Sequence, residues 1–387
     1  MKKEYATIEI KMKNIAQGIV AVLICFLMAE TLSFAQDTIR SSIRISWGWC
    51  LNRPDEFYTS EEAIRIADNV LLYQRDNGGW PKGVVMTRVP SKEDKTRLLR
   101  AKNRKDDTLD NGATHTQMRY LAKVYNATKL ERFRQALLKG IDYLLEAQYD
   151  NGGWPQFYPL EGHPGYSKYI TFNDGAMIGA MSVLRDIAQK KSAYAFIDEE
   201  RRAKAEKAVR KGIECILKCQ IIDGGKRTAW CQQYDEKTFE PRDARIYEKV
   251  SNCSRASVGI VKFLMEIDNP SPEIVEAVQS AVIWFDRSRL NGIRMVIKRG
   301  ESLERGFDRV IIKDDSAPPI WARFYQLGSN RPIFCGRDGV IKYTMAEIEH
   351  ERRTNYAWYV RDPGGLLEED YPAWQQKWVP GKNVLKK

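Results

Sequence analysis

Two short motifs set acidic and amide oxygens side by side ahead of amphipathic stretches. Asp110-Asn111-Gly112-Ala113-Thr114 precedes the run from Met118 to Tyr125, and Thr171-Phe172-Asn173-Asp174-Gly175 precedes Met177 to Leu184. Asp and Asn at helix starts accept hydrogen bonds from free backbone N–H groups, so each motif fits an N-cap. Placed together at one end of a helical assembly, the two carboxylates and two amides also offer the oxygen ligands that a hard cation such as Ca2+ takes.

Three arginines stand out beside them. Arg245, in Pro241-Arg242-Asp243-Ala244-Arg245-Ile246-Tyr247-Glu248, lies in a polar segment and has Glu248 in reach as a surface ion-pair partner. Arg323 in Trp321-Ala322-Arg323-Phe324-Tyr325 and Arg337 in Phe334-Cys335-Gly336-Arg337-Asp338-Gly339 sit among aromatics and a tight turn. An arginine held on aromatic faces presents a rigid two-pronged donor to a carboxylate. Pairing inside the protein with Asp338 or Asp315 is the alternative. Of the three histidines, His115 and His163 read as turn or capping residues and His350 as structural, while Glu351-Arg352-Arg353 reads as a solvated helix end.

Other chemistries are excluded. No Ser-His-Asp order, phosphate-binding loop or dinucleotide fingerprint is present, and Gly224-Gly225 lacks the strand and third glycine of a cofactor loop. Without a CxxC pair and with so few histidines, a zinc site is not expected. The chain has 387 residues, 62 Lys+Arg against 51 Asp+Glu, and a net charge of +11. That balance suits an anionic partner. Lys11 and Lys13, the apolar run Ile19 to Met28 and Ser33-Phe34-Ala35 read as a signal peptide over residues 1–35. The run is too short to cross a bilayer. Export, periplasmic or beyond the cell, favours an acidic polysaccharide over nucleic acid, and neither stable membrane insertion nor an oligomer is expected.

The positioning elements announce themselves as a repeat. Gln74-Arg75-Asp76-Asn77-Gly78-Gly79-Trp80-Pro81 returns as Gln148-Tyr149-Asp150-Asn151-Gly152-Gly153-Trp154-Pro155, and a worn copy runs from Gln220 through Asp223-Gly224-Gly225 to Trp230. The three aspartates lie 74 and 73 residues apart, a period that fits a pair of helices with their loops. Helical periodicity covers Glu61 to Gln74, with Thr59 and Glu62 in capping-box relation, then Leu130 to Gln148, Gly175 to Gln189, Arg201 to Gln220, Arg255 to Ile267 and Pro272 to Asp286. Arg294 to Lys298 and Arg309 to Lys313 read as a hairpin. Thr344 and Glu347 cap a further helix ending near Arg353, and the Pro- and Trp-rich tail from Asp362 reads as irregular chain. The expected fold is a mainly α, incomplete α/α toroid with a small β annex, one domain over residues 36–387 with its core at about 60–360. Six cysteines follow the signal. Disulfides are permitted, and Cys215 and Cys219 equally suit buried small hydrophobes.

These motifs together resemble the pectate lyases of polysaccharide lyase family ten. The resemblance runs over about residues 60 to 360 and is carried by NGGWPK (77–82), DNGATHTQMRYLA (110–122), NGGWPQFYPL (151–160), YITFNDGAM (169–177), AWCQQYD (229–235), ARIYE (244–248), APPIWARFY (317–325), RPIFCGRDG (331–339) and ERR-x-x-YAWY (351–359). It implies an α/α toroid that cleaves polygalacturonate by Ca2+-dependent β-elimination. Carried over motif by motif, it implies that Asp110, Asn111 and Asp174 serve the metal and substrate-carboxylate site, that Arg245 is the base, and that Arg323 and Arg337 hold substrate carboxylates. Arg242, three residues before Arg245, is the other candidate for the base. Two further readings stand beside it: a toroidal isoprenoid-cyclase-like enzyme, for which Asp314-Asp315 is the sole acidic motif, and a non-catalytic pectin- or glycan-binding protein using the Trp-rich tail.

Overall fold

The computed structural model describes residues 45–385, so the expected signal peptide lies outside the described residues. Seven helices build the ring: α1 (Glu61–Tyr73), α2 (His115–Thr128), α3 (Glu131–Glu146), α4 (Ala176–Ala188), α5 (Glu199–Cys219), α6 (Ser254–Met265) and α7 (Pro272–Arg287). Helices α1, α3, α5 and α7 pack side by side as one layer, and α2, α4 and α6 as the other. This double layer is the expected incomplete α/α toroid.

Each helix forms for a local reason. In α1, Ala63, Ile66, Ala67 and Val70 are buried on one face, and the Ser60 hydroxyl accepts from the Ala63 N–H. The cap is therefore Ser60 rather than Thr59, whose hydroxyl instead donates to the Glu56 carbonyl. Asp198 caps α5, and Ser271 caps α7 with Pro272 in its first turn.

The repeat is the device that locks one pair to the next. The indole N–H groups of Trp80, Trp154 and Trp230 donate at 2.8 Å to Val70, Leu144 and Ile216, carbonyls near the end of α1, α3 and α5. A fourth copy, Trp321 onto the Phe285 carbonyl of α7, escaped the sequence reading because its glycine turn is replaced by the β hairpin. The carboxamides of Gln74, Gln148 and Gln220 each bridge a carbonyl of their own turn to Ala136, Ala208 and Ala277 on the next helix of the same layer. Gly152, at φ 92°, lies so close to α5 that a Cβ there would fall 2.1 Å from the Lys211 carbonyl oxygen.

The hairpin pairs Ile293–Arg299 with Phe307–Lys313. A second, unforeseen sheet joins Asn252–Cys253, Phe324–Tyr325, Pro332–Cys335 and Ile341–Lys342. It is too short-stranded to leave a periodic signal, yet Arg323 directly precedes one of its strands and Arg337 lies in the turn after another. Two readings need correction. The tail from Asp362 is helical through Trp378, with Tyr371 and Trp374 buried against the ring. Thr344 and Glu347 do form a capping box, but on a single 3-10 turn separate from the helix His350–Asn355. All six described cysteines are free and buried. No described helix is long and apolar enough to cross a membrane.

Gly152→Ala combines a left-handed backbone with a clash, so it should cost at least ~2 kcal/mol. Gly224→Ala, also at positive φ but facing open space, should cost about 1 kcal/mol. Thermal unfolding of the two variants checks the ordering.

Candidate active site

Both oxygen-bearing motifs turn out not to be helix caps. Asp110–Gly112 and Asn173–Gly175 are single 3-10 turns, and the N-cap residues of α2 and α4 are Thr114 and Gly175, neither making a side-chain cap. Asn111 (φ 53°) and Asp174 (φ 48°) hold left-handed backbone, a strain of roughly 1–2 kcal/mol at each. The two turns pack against each other and mirror one another: Asn111 donates its amide to Asp110 at 3.1 Å, and Asn173 to Asp174 at 3.2 Å. The ring puts them together because each opens a helix of the same layer.

Asp110 is buried. One of its oxygens is held by Lys82, and the other, Oδ1, has no hydrogen-bond partner. Strained turns bearing an orphaned carboxylate oxygen fit a hard cation in donor chemistry. Among the described residues no three His, Cys, Asp or Glu side chains converge as a metal cage. A cation here would hold Asp110, Asn111 and Asp174 and need further oxygens from elsewhere.

Arg323 is 5% exposed at its side chain. Its backbone is clamped between strands, its N–H donating to Trp358 and its carbonyl accepting from Ser254. The guanidinium donates to Gln232 at 3.0 Å and to Asn173 at 2.7 Å, and lies 3.8 Å from Asp174. Neither Asp338 nor Asp315 is its partner. Its guanidinium carbon stands 4.5 Å from the Tyr356 ring centre.

Tyr356 connects Arg323 to Arg245. Its hydroxyl donates to Glu248 at 2.7 Å, and Glu248 accepts two bonds from the Arg245 guanidinium, at 2.7 and 2.5 Å. Arg245 in turn stands over the Tyr247 ring at 4.9 Å, and Arg337 and Arg352 flank the same ring at 5.3 and 4.6 Å. Four arginines thus gather on two tyrosines. Burial alone would push the Glu248 carboxyl up, but its bonds from Arg245 and Tyr356 hold it below the usual carboxylate range. Burial pulls Arg245 down, and Glu248 more than offsets that, leaving the guanidinium above its ordinary pKa.

All six residues singled out from the sequence fall into this one run of contacts. The Arg245–Glu248 pair is present, with a buried carboxylate rather than a surface one. Arg337 is exposed and bonds Glu351 at 3.2 Å rather than Asp338 or Asp315. Arg242 turns to Asp235 and Glu240 and makes no contact with the tyrosines. The solvated-helix-end reading fails for Arg352, which is buried and paired with Glu351, and Arg353 is held by Asp308. Lys82, Gln232, Tyr247 and Tyr356 were not singled out, although each stands inside a motif string quoted above or between two of them. His115 is the first residue of α2 and half-buried. It packs on Gly179, and burial pushes it down to about 3.

Residues 74–367 match the family described as "Pectic acid lyase". This chain belongs to that family. Two solved structures agree. A family 10 polysaccharide lyase from Cellvibrio cellulosa is 33% identical, with a TM-score of 0.69 over 84% of this chain and 96% of its own. A mutant of the family 10 lyase from the same organism, in complex with trigalacturonic acid, is likewise 33% identical, with a TM-score of 0.71 over 87% of this chain and all of its own. No match appears among curated proteins. The protein is a polysaccharide lyase of the pectate lyase family, with the family's α/α toroid.

The Arg245–Glu248 pair has a pH signature. Because the folded Glu248 pKa is lowered, its contribution is complete above the unfolded carboxylate value of 4.5 and is lost as pH falls through the folded one. Glu248→Gln should cost about 2 kcal/mol at neutral pH. The gap in melting temperature between wild type and variant should then narrow as pH falls below 4.5.

Proposed function

We propose that this protein cleaves de-esterified polygalacturonate by β-elimination, with Arg245 as the base, Arg323 and Arg337 as carboxylate holders, and Ca2+ held by Asp110, Asn111 and Asp174. The observation that carries the reading is the arginine cluster on Tyr247 and Tyr356, joined through Arg323 and Asn173 to the twin oxygen-bearing turns. That cluster is a receptor for carboxylates in chemistry, because guanidinium forks match them bidentately.

The reaction removes the C5 proton, which lies α to a carboxylate and is very weakly acidic, and expels the C4 glycosidic oxygen to leave a 4,5-unsaturated sugar. Charge builds on the carboxylate as the proton leaves, and preorganised positive groups stabilise it. Arg323 suits this duty. It is buried, immobile and fixed by neutral amide oxygens, so its charge is not spent on a full ion pair. Bound Ca2+ would supply further positive charge at that carboxylate. With only two protein carboxylates in the set, a cation would bind weakly alone and more tightly once substrate oxygens join it.

Arg245 is the demanding assignment. A guanidine base must lose a proton held at a pKa above about 12, and Glu248 raises it further. A strong base is nonetheless matched to so weak an acid. The pairing with Glu248 therefore has to loosen when substrate carboxylates arrive, and activity should lie on the alkaline side.

Incubation with polygalacturonate should release products absorbing in the ultraviolet, with the mass of unsaturated oligogalacturonates, and a chelator should abolish release. Undiminished release would remove the metal from the account, and saturated products would remove the elimination. Glu248→Gln should shift the acid limb of the kcat/KM profile to lower pH, because it lowers the Arg245 pKa. An unmoved limb would mean that Arg245 is not the base. Binding without turnover would favour a glycan-binding protein instead.

A further inference from the structure

A cavity of about 560 Å3 opens beside the twin turns, walled by Asn111, Asp174 and Gly175 on one side and by Arg255, Gly259 and Lys262 of α6 on the other. Its size is in the range of small-ligand sites. Two features of its α6 wall, Arg255 and Gly259, have no structural explanation in the fold. Arg255 is exposed and, among the described residues, is paired with no carboxylate and donates no side-chain hydrogen bond. Lys262 stands two turns on, tied by one bond to Asp370 at 2.8 Å. Between them lies Gly259.

Four glycines interrupt the ring helices, and three have packing reasons. A Cβ at Gly140 would meet Met118 and Trp80, at Gly179 it would meet His115, and at Gly212 it would meet Met181 and Trp154. At Gly259 it would meet nothing within 4 Å. Glycine in mid-helix weakens the helix relative to alanine, so this one gives up stability with no neighbour that needs the room. Bare backbone facing a cavity, one turn from a free guanidinium, lets a sugar ring lie close with its carboxylate on that guanidinium.

We propose that this cavity is a sugar subsite, taking the galacturonate unit next to those at the arginine cluster, with Arg255 binding its carboxylate and Gly259 leaving room for its ring. Asp362 lies on the remaining wall and carries the opposite charge, so it disfavours a carboxylate on that side and points the anion toward Arg255. The inference rests on the polygalacturonate reading and extends it. Chain length becomes a determinant of affinity, set by α6 rather than by the residues that do the elimination.

The test is calorimetric titration of Arg245→Ala, used to silence turnover, with oligogalacturonates of increasing length in the presence of Ca2+. Adding Arg255→Gln should weaken binding of the longer oligomers about tenfold while leaving digalacturonate unchanged, and Arg255→Lys should recover part of the loss. Gly259→Ala should raise the melting temperature yet weaken long-oligomer binding, opposite signs that a purely structural glycine would not produce. Gly259→Leu, which fills the cavity, should abolish the length dependence. A length dependence unchanged from that of Arg245→Ala in all these variants would overturn the subsite while leaving the lyase reading intact. No binding of any oligogalacturonate by Arg245→Ala would overturn that reading and the subsite with it.

Discussion

Crowding of like charge on two tyrosine rings is the constraint around which this site is arranged. Arg245, Arg337 and Arg352 approach Tyr247, and Arg245 and Arg323 approach Tyr356. Such a cluster folds only if the repulsion is offset. The ring faces supply part of the offset. Glu248 and Glu351 supply most of the rest, each shared, Glu248 with the Tyr356 hydroxyl and Glu351 between Arg352 and Arg337. Arg323 is left bonded to neutral amides, with its nearest acid, Asp174, at 3.8 Å. On the proposed reading, a substrate carboxylate would therefore meet positive charge that the protein itself has not neutralised.

The ring exists to hold this arrangement still. Four tryptophan indoles and three glutamine amides tie the ends of one layer of helices, and the other layer begins where the chain emerges from those ties. Asp110 and Asn173-Asp174 sit at two such beginnings, so their spacing is fixed by helix packing rather than by loop flexibility. Strain stored at Asn111 and Asp174 is consistent with turns shaped for a ligand, since neither turn caps a helix.

Much of this was legible in the sequence. The glycine-tryptophan repeat exposed the paired helices because it recurs as a fixed string, and the twin acidic motifs and three arginines stood in strings that identify the family. Other features were hidden for physical reasons. Tyr356 meets Glu248 across 108 residues and Arg323 meets Asn173 across 150, and no local spacing encodes such pairings. Arg352 resembled a solvated helix end because burial of a charged residue depends on partners brought from elsewhere. The N-cap alternative fitted residue type alone. Positive φ at Asn111 and Asp174 decides against it, and φ is invisible in composition. The tail looked irregular because prolines open its helices, at Pro363 and Pro372, where proline is tolerated.

Carboxylate recognition by guanidinium groups is the central claim, and changing only the charge of the sugar tests it most directly. Initial rates of unsaturated product release should be compared on polygalacturonate and on the same polymer with every carboxylate methyl-esterified, at equal chain length and ionic strength. The account predicts turnover of the free acid and next to none of the ester, with the rate on the free acid falling as salt rises. Equal rates on both polymers would contradict it.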